Sequence, residues 1–173
     1  MSDSVIGTRA LSSVMVVKAD ENSGVNVSTK HITYCTSGMY CNALVTAGLS
    51  DAKVTVVGPF DISGTSALVG AMKAYSVMTG EEISEKTMDT ATDELVTTAE
   101  VAKNVGDKQK VTELVAAAKK AVFEDQLSSE TDIRDAIEQA ANELSIDLSD
   151  DDVEKLTNMM MKVSNEDIDP DTI

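Results

Sequence analysis

One apolar, β-branched run, Val54-Thr55-Val56-Val57, sits between two helical stretches with readable ends. This helix–strand–helix unit constrains the fold more than any other part of the chain. The first helix, Ser37 to Ala47, places Tyr40, Ala43, Leu44 and Ala47 on one side, the spacing of a buried stripe. Thr36 or Ser37 is its N-cap, and Gly48 lies just past its end. The second, Ser63 to Thr79, turns Ala67, Leu68, Ala71, Met72 and Tyr75 inward, with Ser63 as N-cap and Gly80 past its C-terminus. Pro59 has no ladder donor and is expected to end the strand.

Two further strands precede this unit. Ala10 to Lys18 holds four successive apolar residues, Val14 to Val17, which predicts burial on both faces or a central place. Val25 to Tyr34 changes face partway, which predicts a bulge near Thr29-Lys30. The turn cluster Asp20 to Gly24 joins the two, so an antiparallel hairpin is expected. A strand–helix–strand crossover then makes the third strand parallel to one of them. Residues 1–8 are expected to form a loose leader.

Beyond Gly80 the pattern becomes helical. The expected helices are Thr92 to Val105, Lys108 to Glu124, Ser129 to Leu144, and one opening at Ser149 with Asp150, Asp151 and Asp152 complementing its dipole. Pro170 closes the acidic tail to helix. The fold class is therefore α+β: a small three-stranded mixed sheet in β-β-α-β-α order, then a four-helix acidic C-terminal half. The divisions are 1–80, the scaffold, and 81–173, the helical half, packed on the same core as one domain.

Charge follows the same division. Residues 1–80 hold five acidic and five basic side chains, while residues 81–173 hold 25 acidic and nine basic, a net of −16. Such a surface repels nucleic acid and anionic membrane. No run of 18 apolar residues exists, so no membrane span is expected. The first residues lack the basic and apolar regions of a signal peptide.

Candidate sites are few. Ser63-Gly64-Thr65-Ser66 follows a strand and opens a helix, the geometry of an anion- or ligand-binding helix start. It lacks the Gly-Lys-Ser of a phosphate loop, and capping plus close helix–sheet packing at Gly64 and Gly70 is the simpler account of it. The single histidine, His31, has no motif around it and Lys73 stands too far along its helix from Ser66, so no catalytic set is assigned. Cys35 and Cys41 could form a disulfide or remain two buried thiols. The Asp150–Asp152 run and the series Asp167, Asp169, Asp171 lack the spacing of a calcium loop, and Met159-Met160-Met161 reads as core rather than a copper box. No metal or cofactor is expected.

Several strings resemble a bacterial family of extracytoplasmic proteins, the YpuA-like family or domain of unknown function 1002. They are Ile6 to Ser13, Gly24 to Val27 with His31-Ile32, Met39-Tyr40, Asn42 to Gly48, Asp51 to Val54, Pro59-Phe60, Ser63 to Gly70, and Glu94 to Thr98. The resemblance implies a location outside the cytoplasm, with the signal peptide and a further N-terminal segment absent from this sequence. It supplies no activity or cofactor. The expected function is a non-enzymatic binding or interaction module at the cell surface, with an unknown protein or small molecule as partner. Two alternatives stay open: a hydrolase-like enzyme using the Ser63–Ser66 helix start, and an assembly protein forming a homodimer through a sheet edge.

Overall fold

The computed structural model describes residues 11–173. Strands β1 (Ser13–Lys18), β2 (Val25–Ile32) and β3 (Ala52–Ile62) form one mixed sheet in the order β1-β3-β2. β3 is antiparallel to β1, with Ser13 opposite Val57, and parallel to β2, with Val25 opposite Ala52. The expected β1–β2 hairpin therefore does not form, because β3 lies between the two strands. The physical reason is burial. Ala52, Val54 and Val56 point inward and are essentially inaccessible, so β3 takes the position with a neighbour on each side. The Val14–Val17 run, expected to be buried on both faces or central, is instead an edge with Met15 58% exposed. The leader expected over residues 1–8 and the strand start at Ala10 lie outside the described residues.

Helices α1 (Ser37–Thr46) and α2 (Ala67–Thr79) cover one face of the sheet, α1 over β2 and α2 over β1. α2 begins four residues later than Ser63. Gly64 takes a left-handed backbone (φ +88°), which interrupts helical geometry, and Ser66 becomes the N-cap without a side-chain capping bond. Pro59 does not end β3. The ladder runs Lys30 opposite Val57 and resumes at Ile32 opposite Ile62, so four residues of β3 bow out against one of β2. Pro59 lies in that excursion, where no ladder donor is required. The expected bulge near Thr29-Lys30 is this irregularity, placed between Lys30 and Ile32.

The second half supplies α3 (Glu85–Val105), α4 (Lys108–Glu124), α5 (Glu130–Glu143) and α6 (Asp150–Val163). α3 starts seven residues before Thr92. Ser84 caps it by accepting from the Thr87 N–H (3.1 Å), and Ile83 and Met88 occupy staple positions, both half-buried against the core. Asp107, Ser129 and Ser149 cap the next three helices in the same way. The acidic tail is not wholly non-helical: Pro170–Thr172 is a 3-10 turn capped by Asp169. Glu166, just before it, accepts from the hydroxyls of Thr87 (2.9 Å) and Thr90 (3.0 Å) and so ties the tail to α3. α3 and α4 both pack on α1. One apolar cluster runs from Val27 to Ile168 and includes residues of both halves.

Candidate functional site

Among the described residues, the helices leave the other face of the sheet uncovered. Register places three cross-strand rows there: Ser13, Val57 and Lys30; Met15, Thr55 and Ser28; Val17, Lys53 and Asn26. Strand alternation puts all nine side chains on one side. Met15 and Val17 form an apolar strip along β1. Lys53 and Lys30 give the β3–β2 side positive charge, and Ser28 bonds to Thr55 between them (3.2 Å). No carboxylate falls among these nine residues, in a chain whose net charge is −16.

At one end of this sheet lies the bowed segment Gly58 to Asp61. Phe60 is 60% exposed on it. Opposite, His31 adopts a left-handed backbone (φ +57°), uncommon for a side chain of this size, and its Nδ1 lies 3.1 Å from Asp61 Oδ1. Gly58 fits because an added Cβ would come within 2.7 Å of the Phe60 carbonyl and 2.8 Å of that of His31. The His31 side chain is 46% exposed beside Asp61.

The Ser63–Ser66 segment is packed rather than open. Tyr40 Oη donates to the Gly64 carbonyl at 2.5 Å, and Thr65 is buried. Burial pushes the Tyr40 phenol well above its ordinary range, which keeps it a donor. The N–H groups of Ala67 and Leu68 bond back to the carbonyls of Gly64 and Thr65, which takes up donors an anion would need.

Cys35 and Cys41 are free thiols in this structure. Cys35 is buried, and desolvation pushes its thiol up to about 12 against the pull of Lys108. Cys41 Sγ donates to the Val25 carbonyl (3.3 Å). Asp151 pairs with Lys155 (2.7 Å), and Asp152 accepts from Asn104 (2.7 Å) and from Ser149. Among the described residues no group of three His, Cys, Asp or Glu side chains could hold a metal. Met159 and Met160 are core residues.

One constellation escaped the sequence reading. Lys119 on α4 and Glu94 on α3 are each 1% exposed, with Nζ 2.6 Å from Oε1. Nζ also donates to the Asn42 carbonyl (2.7 Å) and Thr46 Oγ1 (2.7 Å), and Thr46 donates to Glu94 Oε2 (2.5 Å). A signal existed: Glu94 shares the 91, 95, 98, 102 period of the α3 core stripe, and Lys119 follows Val115 by one turn. Clefts of about 200 Å³ beside Lys119 and about 460 Å³ beside Thr46 flank the cluster. Two ammonium donors go to Asn42 and Thr46, and the charge is paired with Glu94. Burial lowers the Lys119 pKa, with Glu94 opposing. The arrangement ties α1 to the helical half.

The family described as "Protein of unknown function (DUF1002)" matches residues 1–173. The chain is 40% identical over 170 residues to the uncharacterized protein YpuA of Bacillus subtilis (strain 168). That match covers 98% of this chain and 58% of the relative's length. No solved structure matches the chain.

Proposed function

Because this chain belongs to the DUF1002 family of proteins of unknown function, we propose that it is a non-enzymatic interaction module of the bacterial cell surface that meets its partner through the sheet unit. One observation carries the reading. Among the described residues, the large apolar side chains left exposed are Leu11, Met15, Val17, Phe60, Val77 and Met78. All six precede Gly80, and the helical half contributes none. Met15 and Val17 lie side by side on the open face, and a contiguous exposed apolar patch marks an interaction surface. The strained His31 backbone and the exposed aromatic beside it agree, since such features gather where a protein engages something else. The acidic helical half then serves solubility and keeps polyanions away.

The test is site-specific photo-crosslinking in intact cells. A photoreactive residue at Met15 or Phe60 is expected to capture a discrete partner band, whereas one at Glu138 on α5 captures none. Fractionation and protease access to the tagged protein in intact cells check the location. Equal capture from all three positions, or from none, overturns the reading.

A further inference from the structure

The open face carries enough chemistry to name its partner's form. We infer that it is a docking platform for one amphipathic helix bearing an apolar row and an acidic row, a reading that rests on the interaction-module function proposed above. Three observations converge. The first is width. The outer strands of a three-stranded sheet lie about 10 Å apart, close to the diameter of a single helix. The opposite face is already covered by helices α1 and α2, so a single further helix is all this face has room for.

The second is the division of the face. Met15 and Val17 run along β1, while Lys53 on the central β3 and Lys30 on β2 lie diagonally across the rest of the face. A helix lying along the strands presents two parallel rows, one at each flank, at i, i+3, i+4, i+7 spacing. Its apolar row matches the β1 strip, and its other row faces two ammonium groups. The third is charge complementarity. Among the described residues these lysines have no carboxylate neighbour on the face, although acidic residues exceed basic ones about twofold in the chain. Neither Lys30 nor Lys53 takes part in an ion pair among the described residues. Acidic residues on the arriving helix supply those partners.

The face is also bounded against the other mode of recognition. An extended partner would add at the β1 or β2 edge and would read backbone groups, with little dependence on Lys53, which lies on the central strand. The cleft of about 310 Å³ between α4 and α5 has the opposite chemistry, with Ala121 and Ala136 in its floor and Asp125, Asp135 and Glu143 at its rim. A basic helix would choose that groove, so the two surfaces select opposite charge.

The experiment uses the purified full chain and a yeast-displayed library of random 20-residue peptides. Selection on wild type is followed by counter-selection on the Lys30→Glu/Lys53→Glu variant. Both lysines are exposed, so the variant is expected to keep the wild-type melting temperature. The expected survivors carry net negative charge and apolar residues at helical spacing. They shift the Met15 and Val17 methyl resonances, and they bind the variant at least tenfold more weakly, with the difference shrinking as salt rises. Survivors with alternating apolar residues, survivors with net positive charge, or an absence of peptides that lose binding on the variant would each overturn the inference. Capture from Met15 in cells alongside any of those results leaves the interaction module standing with a different partner, while absence of both removes the two together.

Discussion

Lys119 Nζ and Glu94 Oε1 meet at 2.6 Å inside the junction between the sheet unit and the helical half. The pair joins α3 to α4, and through Asn42 and Thr46 it holds α1. A buried pair of this kind is costly to split. Removing one partner leaves the other charge in the core, at about 3–5 kcal/mol.

Lys119→Met is therefore expected to lower unfolding free energy by roughly 3–5 kcal/mol. Lys119→Met/Glu94→Leu is expected to recover much of that loss, because neither charge is left unpartnered. Urea denaturation of the two single variants and the double variant closes the cycle. Additive losses would contradict the pairing.

Alkaline stability follows from Cys35. Its folded thiol is held up at about 12, against an ordinary 9.0. Between those values the unfolded chain has released a proton that the folded chain keeps, so stability falls as pH rises, by up to about 1.4 kcal/mol per pH unit. Lys119 works in the opposite direction nearer its ordinary value, because its folded pKa is lowered. Cys35→Ala is expected to flatten the decline between about pH 9 and pH 10, read from denaturation midpoints at each pH. An unchanged slope would place the thiol in a more polar setting.

Among the described glycines, Gly64 leaves the least room for a side chain. An added Cβ would meet Ile32 Cγ2 and Tyr40 Oη, both at 2.5 Å, on a backbone at φ +88°. Gly64→Ala is expected to cost more than about 2 kcal/mol. Tyr40→Phe leaves the Gly64 carbonyl without that donor and is expected to cost about 1–3 kcal/mol. Thermal melts of the two variants test the order.

Glu166 holds the tail by two hydroxyl donors. Glu166→Ala is expected to raise amide exchange in 165–173 and in the first turn of α3 while leaving β3 protected. Uniform loss of protection across the sheet would mean that the tail supports the whole fold.

At His31 the backbone prefers glycine. His31→Gly is expected to be neutral or slightly stabilising, since the exposed contact to Asp61 contributes little. His31→Val should destabilise by at least about 1 kcal/mol, because a β-branched residue resists this conformation. Equal melting temperatures for the two variants would show that the turn relaxes freely.

The helical half was the more legible part. Caps at Ser149 and Asp107 and the apolar period of α4 and α6 are local signals, and they carry the boundaries. Ser84 was harder to read because Glu85 to Ala91 shows a weak apolar period, and what fixes that turn is the distant Glu166. The sheet order was not legible locally. Val14 to Val17 and Val54 to Val57 are nearly interchangeable as strings, and long-range burial against α1 and α2 decides which is central. The Ser63–Ser66 start looked like an open helix end because neither the Tyr40 bond nor the left-handed Gly64 leaves a trace in spacing. Lys119 and Glu94 followed the core period but were masked by the general excess of charge around them.

The central placement of β3 also sets a timetable for biosynthesis. As the polypeptide leaves the ribosome, β1 and β2 appear first and have no ladder to offer one another. Both wait for Ala52 to Ile62 before any sheet hydrogen bond can close. A nascent chain halted before that segment holds two idle strands and a ten-residue stretch too short to stay helical unpacked, which is a form that a chaperone or protease can grasp.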